Sequence, residues 1–204
     1  RLGGETEVLE EAPGSVRRLA RGGGRYAWAT ERSLHVRGTG PRVDLPRAHP
    51  ALPPILDLAP DGSLWHADGR SQGEVVQRVA DGTPVRFIRL PGLVRDLTAH
   101  RDGAFVWWAD LSGRAIPRLT WLGVDGRRWD RDLGGAHAVR LAHGRCRLVD
   151  GDRLVRIDPD GRPHDEGPIG PATALDWTPD DRVLVTHATG GARALLALWS
   201  RRDS

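Results

Sequence analysis

Five charged residues recur at intervals of roughly 40 residues, and each stands directly before an apolar residue near the end of a short apolar run. They are Arg18, Asp57, Asp96, Arg140 and Asp176, and the apolar residues after them are Leu19, Leu58, Leu97, Leu141 and Trp177. In a repeat protein, positions that recur in register are expected to meet on one surface. The five charged residues are therefore the candidate site, and their order predicts a ring with signs plus, minus, minus, plus, minus.

Two kinds of chemistry fit this ring. The first is a set of salt bridges, because a narrow and partly desolvated channel penalises an unpaired ion. The second uses the like-charged neighbours Asp57 and Asp96, which could bind a divalent cation, bind a cationic or polyhydroxyl ligand, or share a proton so that one acts as a general acid. Apart from such a cation at Asp57 and Asp96, no cofactor is expected.

The motifs of common enzymes are absent from the sequence. No His-Glu-x-x-His and no Gly-x-Ser-x-Gly occurs, so the eight histidines are expected at the surface or in turns and no catalytic residue is assigned. The one cysteine, Cys146, lies in an apolar run and is expected to be a buried, inert thiol. The sequence does not decide whether the protein is an enzyme, and it favours a non-catalytic protein.

The elements that must position the ring are clearest in residues 55–90. Four short apolar runs are separated there by Pro60-Asp61-Gly62, by residues 69–73 and by Asp81-Gly82. Such runs predict antiparallel strands joined by tight turns, in which glycine supplies positive φ and the aspartate accepts backbone N–H groups. Four strands of this kind make one propeller blade.

The same pattern recurs through the chain. We expect a single all-β domain over residues 1–204, a five-bladed β-propeller of four-stranded antiparallel blades at residues 15–45, 55–90, 93–133, 138–169 and 172–199. The last blade lacks a fourth strand, so the N-terminal residues 5–10 are expected to complete it and close the ring. The alternative is an open array, or part of a larger propeller, in which residues 1–12 form a leader.

Composition narrows the partners. Thirty basic and 27 acidic residues are interspersed without blocks of like charge, which argues against nucleic-acid binding. No apolar run reaches 18 residues, so no membrane span is expected. The chain begins without Met and without the apolar region of a signal peptide. A cytoplasmic protein is expected, and a secreted one stays open.

Three strings carry a resemblance to a known family. APDGSLWHAD at 59–68, EVVQRVADGTPVRFIRLP at 74–91 and RLVRIDPDG at 153–161 resemble repeats of bacterial NHL and streptogramin-lyase-like propellers. The resemblance covers blade two well, blades three and four partly, and blades one and five only in pattern. The lyase is a longer ring of seven blades with a catalytic His, an acid and a divalent metal, and that set matches no particular residues here.

These observations predict a non-catalytic binding module. A propeller offers wide, rigid loop faces, so a protein partner within a larger bacterial assembly is expected. One alternative is a small lyase or hydrolase with an acidic channel site, with or without a metal. Another is a glycan-binding lectin, and a small molecule or a glycan is then the ligand.

Overall fold

The computed structural model describes residues 16–47, 54–68, 73–110, 115–169, 174–177, 183–189 and 193–199. These residues form nineteen strands in five antiparallel sheets. Each sheet takes its strands in chain order, and we call the sheets blades one to five. No helix long and apolar enough to cross a membrane occurs among these residues.

Blades one to three each have four strands. Blade one comprises β1 (Arg18–Gly22), β2 (Arg25–Ala29), β3 (Ser33–Gly38) and β4 (Val43–Pro46). Blade two comprises β5 (Ile55–Leu58), β6 (Leu64–Asp68), β7 (Gly73–Arg78) and β8 (Pro84–Leu90). Blade three comprises β9 (Gly92–His100), β10 (Gly103–Asp110), β11 (Ile116–Gly123) and β12 (Arg128–Asp132).

Blade four also has four strands, and blade five has three within the described ranges. Blade four comprises β13 (Ala136–Ala142), β14 (Arg145–Asp150), β15 (Arg153–Ile157) and β16 (Pro163–Pro168). Blade five comprises β17 (Ala174–Trp177), β18 (Val183–Thr189) and β19 (Arg193–Trp199). The strand expected at residues 5–10, with the ring closure that depends on it, lies outside the described residues.

The first strands lie side by side in chain order. β1 contacts β5, β5 contacts β9, β9 contacts β13, and β13 contacts β17. This is the arrangement of a propeller, in which the first strand of each blade borders the central channel. The predicted all-β propeller of antiparallel blades is therefore confirmed.

The core consists of four apolar clusters, one between each pair of consecutive blades. Successive residues of a strand point to opposite faces of its sheet, so each blade contributes to the cluster on either side. On β6, for example, Leu64 packs toward blade one and the fully buried Trp65 packs toward blade three. Removing a buried aromatic side chain of this kind typically costs about 3–5 kcal/mol, so the blades are held together mainly by this packing.

In blades two to four the aligned apolar residue of the first strand packs against the preceding blade. Leu58, Leu97 and Leu141 are buried there, whereas Leu19 of blade one is 68% exposed. Its neighbour Ala20 is the buried residue of β1 and packs with the cluster between blades one and two. Alternation along the strand therefore turns Leu19 to the opposite face.

The Asp-Gly turns have the predicted chemistry. Gly62 and Gly161 adopt φ values of 81° and 85°, a conformation that favours glycine. The preceding aspartates accept the backbone N–H of the residue two positions later, at 2.9 Å for Asp61 and 3.0 Å for Asp160. These contacts fix the hairpins that hold successive strands in register.

Candidate functional site

Four of the five predicted ring residues lie in one ion-pair network at the first strands, which we call the channel network: Arg18, Asp96, Arg140 and Asp176. Arg18 Nη2 lies 2.9 Å from Asp96 Oδ1, and Arg140 Nη1 lies 3.8 Å from Asp96 Oδ2. Arg140 Nε also donates to Asp176 Oδ1 at 3.1 Å. These four residues therefore form ion pairs, as the salt-bridge interpretation of the ring predicts.

Asp96 is the centre of the channel network. Its side chain is 12% exposed, against 36% for Arg18 and 37% for Arg140. Burial raises the pKa of Asp96 above the usual value for an aspartate, although the two guanidinium groups act in the opposite direction. Each carboxylate oxygen already faces a cation, so the group is paired on both sides.

Asp57 lies apart from the channel network. Its Oδ2 accepts hydrogen bonds of 2.9 Å from the Thr98 hydroxyl and from the Ala99 N–H, and its Oδ1 accepts one from the Leu58 N–H. Thr98 Oγ1 in turn accepts the N–H of Gly144 at 2.9 Å. Asp57 thus ties blade two to blade three and, through Thr98, to blade four. Burial raises the pKa of this carboxyl as well.

The structure therefore changes the predicted pairing. Sequence order favours Arg18 with its neighbour Asp57, but Arg18 reaches past β5 to Asp96 on β9. The reason is that the Asp57 carboxylate is already occupied by donors of β5 and β9, which sequence spacing does not reveal. Binding of a ligand by Arg18, Asp57, Asp96, Arg140 or Asp176 stays a prediction.

A cleft of about 540 Å³ lies beside the channel network and spans blades three, four and five. Arg140 and Asp176 line it together with Trp107. Most of its other lining residues are apolar, among them Ala138, Val139 and Leu175. The cleft can take a small group that combines an apolar part with hydrogen-bonding atoms.

The divalent cation considered for Asp57 and Asp96 has few ligands to draw on. Nowhere in the described ranges do three or more His, Cys, Asp or Glu side chains come together. Both oxygens of Asp96 face arginines, and those of Asp57 accept three hydrogen bonds. A cation at this pair would have to displace these partners, so the cation site stays a prediction.

Sequence reasoning missed a serine–histidine–aspartate chain in blade one. Ser33 Oγ lies 2.7 Å from His35 Nε2, and His35 Nδ1 lies 2.6 Å from Asp44 Oδ1. Although this order is that of a hydrolase relay, the N–H groups of Arg32 and Ser33 both bond to Thr30 Oγ1. They are thus occupied and cannot serve as oxyanion donors.

Blade three supports a structural role for that chain. His35 and Asp44 are opposite partners on β3 and β4, and Thr120 and Asp130 are opposite partners on β11 and β12. Thr120 donates to Asp130 and accepts the indole N–H of Trp108. Polar side chains thus connect the third and fourth strands in blade three without a serine or a histidine. This recurrence supports a structural role for the contact, which is to hold the outer strand in place.

Comparison with known proteins gives a fold and no family. No family model matches the chain, and no curated protein matches it in sequence. Its structure is similar to the WD40 repeats of RRP9 (14% identity, TM-score 0.59), to U3-55K (15%, 0.58) and to the β-propeller domain of Myceliophteria thermophila Cps50 (Swd1) (15%, 0.56). The chain spans 63%, 63% and 74% of those chains, which cover 97%, 95% and 97% of it.

These similarities define the class as a β-propeller of repeats. Identities of 14% and 15% show the fold alone. The narrower resemblance to bacterial NHL and streptogramin-lyase-like repeats has no counterpart among these structures and stays a prediction.

Proposed function

We propose that this protein is a non-catalytic β-propeller that binds a protein partner, as a scaffold or as a subunit of a larger bacterial assembly. Structures of WD40 propellers are its neighbours in fold, and propellers present rigid surfaces on which partners can dock. The channel network supports this proposal, because its charges pair with one another.

The observation that carries the proposal is a concentration of exposed apolar side chains on blades two and three. Among the described residues, six large apolar side chains are exposed, and four lie on these two blades: Val79, Val85, Phe87 and Val124. Isolated exposed apolar residues are ordinary, but a concentration of them marks an interaction surface.

Two of these residues lie on neighbouring elements. Val85, on β8, is 54% exposed, and Val124, in the turn after β11, is 44% exposed. The residue between Val85 and Phe87 is Arg86, whose Nη2 donates to the carbonyl of Val124 at 2.8 Å. Arg86 therefore holds the edge of blade two against the turn of blade three, and alternation along β8 places Val85 and Phe87 on its other, exposed face.

A capture experiment from the native source tests the proposal. The parent, the variant Val85→Ser with Val124→Ser, and the control Val16→Ser with Leu19→Ser would be immobilised in equal amounts. The control removes two exposed apolar side chains from blade one. We expect one or more proteins to be retained by the parent and the control and reduced about tenfold on the blade-two and blade-three variant. Equal recovery on all three surfaces would contradict the proposal.

A second candidate function is a small lyase or hydrolase that acts in the channel. The observation in its favour is the cleft beside the channel network, which Arg140 and Asp176 line. Burial also raises the pKa of the nearby Asp57 and Asp96, against the lowering effect of their hydrogen bonds and neighbouring arginines. Turnover by the parent that Asp96→Asn abolishes, with an unchanged melting temperature, would replace the first proposal with this one.

A further inference from the structure

A second cleft, of about 220 Å³, opens between blade one and blade two. Its apolar walls come from both blades, and three ionisable residues of blade two line it as well: His66, Glu74 and Arg78. The apolar residues that matter below are Leu34, Val76 and Phe87. The cleft is separate from the channel network and contains none of its residues.

Arg78 is a half-buried cation with no carboxylate partner among the described residues. Its Nε donates to His66 Nε2 at 3.0 Å, and its Nη1 donates to the carbonyl of Gly82 at 2.9 Å. Burial lowers the pKa of Arg78, which reflects the loss of water without a compensating negative charge. A guanidinium in this state attracts an anion more strongly than one in an ion pair does.

His66 adds a second donor. Because its Nε2 accepts the hydrogen bond from Arg78, the proton of the neutral ring must lie on Nδ1. Burial, together with the charge of Arg78, lowers the pKa of His66 to about 4, so the ring is neutral near pH 7. Within the described part of the chain, Nδ1 has no hydrogen-bond partner, and the ring lines the cleft.

The other charged residues of the cleft are already bound. The carboxylate of Glu74 lies 3.0 Å from Arg89 Nη2. Arg47 donates to the backbone carbonyls of Thr30 and Glu31 at 2.7 and 2.9 Å. Since Glu74 is the only acid among the described lining residues and has its own cation, the charge that remains uncompensated there is positive.

We propose that the cleft between blades one and two binds a carboxylate carried on an apolar body. Arg78 binds the carboxylate, His66 donates a hydrogen bond to it, and Leu34, Val76 and Phe87 contact the apolar part. The volume of about 220 Å³ lies below the ~300–1,000 Å³ of most drug-sized sites. It therefore suits a small organic acid or the C-terminal residue of a peptide.

This proposal shares Phe87 with the exposed apolar residues of the protein-partner proposal, but the two are tested at different residues. The apolar surface tested above uses Val85 and Val124, neither of which lines the cleft. Failure of one proposal therefore leaves the other standing.

The test is a titration with 3-phenylpropionate and with its neutral amide, followed by calorimetry and by protein NMR. We expect the parent to bind the acid with a saturable dissociation constant below about 10 mM and the amide at least about tenfold more weakly, because the amide cannot form the charged contact. A lack of saturable binding of the acid, or equal binding of acid and amide, would overturn the proposal.

Two variants and one control test whether the acid binds in the cleft. Arg78→Gln is expected to weaken binding of the acid about tenfold or more, and Phe87→Ala, at a 58% exposed side chain, about threefold or more. The control Arg101→Gln removes an equal charge from the exposed turn between β9 and β10, where Arg101 pairs with Asp102, and is expected to bind as the parent does. Binding that survives both cleft variants at parental strength places the acid elsewhere and refutes the assignment.

A peptide arm distinguishes the two sources of the carboxylate. The probe is a pentapeptide ending in Leu-Phe, prepared with a free and with an amidated C-terminus. A free peptide that binds at least about tenfold more tightly than 3-phenylpropionate identifies a chain end as the ligand, and weaker binding than that acid identifies a small organic acid. Both outcomes support a carboxylate site, whereas equal binding of the free and amidated peptides contradicts it.

Discussion

Arg147 in blade four and Arg25 between blades one and two are equally buried, each 3% exposed, but their partners differ. Arg147 forms a two-point ion pair with Glu166, at 2.7 and 3.2 Å. Among the described residues, Arg25 donates only to backbone carbonyls, at 2.7 Å to Ala80 and to Pro41, and its Nε has no hydrogen-bond partner. One cation is neutralised by a charge and the other only by peptide dipoles.

This difference separates two uses of a buried arginine. In blade four the pair links the outer strand β16 to β14 across β15, and the carboxylate of Glu166 offsets the charge of Arg147. Arg25 joins blade one to blade two through the carbonyl of Ala80 and leaves its positive charge in place. Arg78 lies on the same blade as Ala80, and no described carboxylate pairs with it either. The region between blades one and two therefore holds two guanidinium groups that contact no carboxylate of the described residues, whereas Arg147 of blade four contacts Glu166.

The largest expected effect comes from breaking the pair in blade four. Glu166→Gln removes the carboxylate that forms a two-point pair with the buried Arg147, and we expect the free energy of unfolding to fall by about 3–5 kcal/mol. Urea denaturation measures it. The control Glu31→Gln breaks the exposed pair with Arg17 and is expected to change the same quantity by less than about 1 kcal/mol. Equal effects of the two substitutions would remove the distinction between buried and exposed pairs.

The matching substitution between blades one and two is Arg25→Met. It removes the N–H groups that donate to the carbonyls of Ala80 and Pro41, but it also removes an uncompensated charge. We therefore expect the free energy of unfolding to fall by about 2 kcal/mol. The control Arg21→Met changes an exposed residue of β1, and its free energy of unfolding is expected to be within about 0.5 kcal/mol of that of the parent. An equal loss of unfolding free energy in Arg25→Met and Glu166→Gln would contradict this, because the carbonyls would then stabilise the arginine as much as a carboxylate does.

His66 supplies a pH test of the same region. The unfolded chain takes up a proton at this histidine near pH 6.5, but the folded protein does so only near pH 4. The free energy of unfolding should therefore fall as the pH is lowered through this window, by about 1–2 kcal/mol for a half-buried ring. Thermal melts of the parent and of His66→Gln across this window isolate the effect, and an identical pH dependence of the two would contradict it.

The smallest expected effect concerns the channel. Because both oxygens of Asp96 face arginines, we expect divalent cations to shift the melting temperature of the parent by less than about 1 °C. A larger shift that disappears in the double variant Asp57→Asn with Asp96→Asn would establish the cation site.

Local patterns were sufficient to predict the fold class. The Asp-Gly turns at 61 and 160 and the short apolar runs between them depend on neighbouring residues, and the structure contains both as expected. The recurrence of charge at Arg18, Asp96, Arg140 and Asp176 was also visible. Its pairing was not, because Arg18 and Asp96 are 78 residues apart and meet only through the order of the blades.

The cleft could not be predicted for a related reason. The histidines were expected at the surface or in turns, but His66 is half-buried against Arg78 and His35 is 8% exposed. Each contact depends on strand register: His66 is opposite Val76 on β7, which brings its ring within reach of Arg78. His66 and Arg78 are twelve residues apart in sequence, and their contact can be recognised only once the register of the two strands is known.

The reactivity of the Cys146 thiol reports on the separation of blades three and four. The thiol is fully buried in the cluster between blades three and four, and burial raises its pKa, so an alkylating reagent finds neither access nor thiolate in the closed state. As the only cysteine of the sequence, it confines labelling to one place. The rate of modification under native conditions would thus time how often these two blades separate.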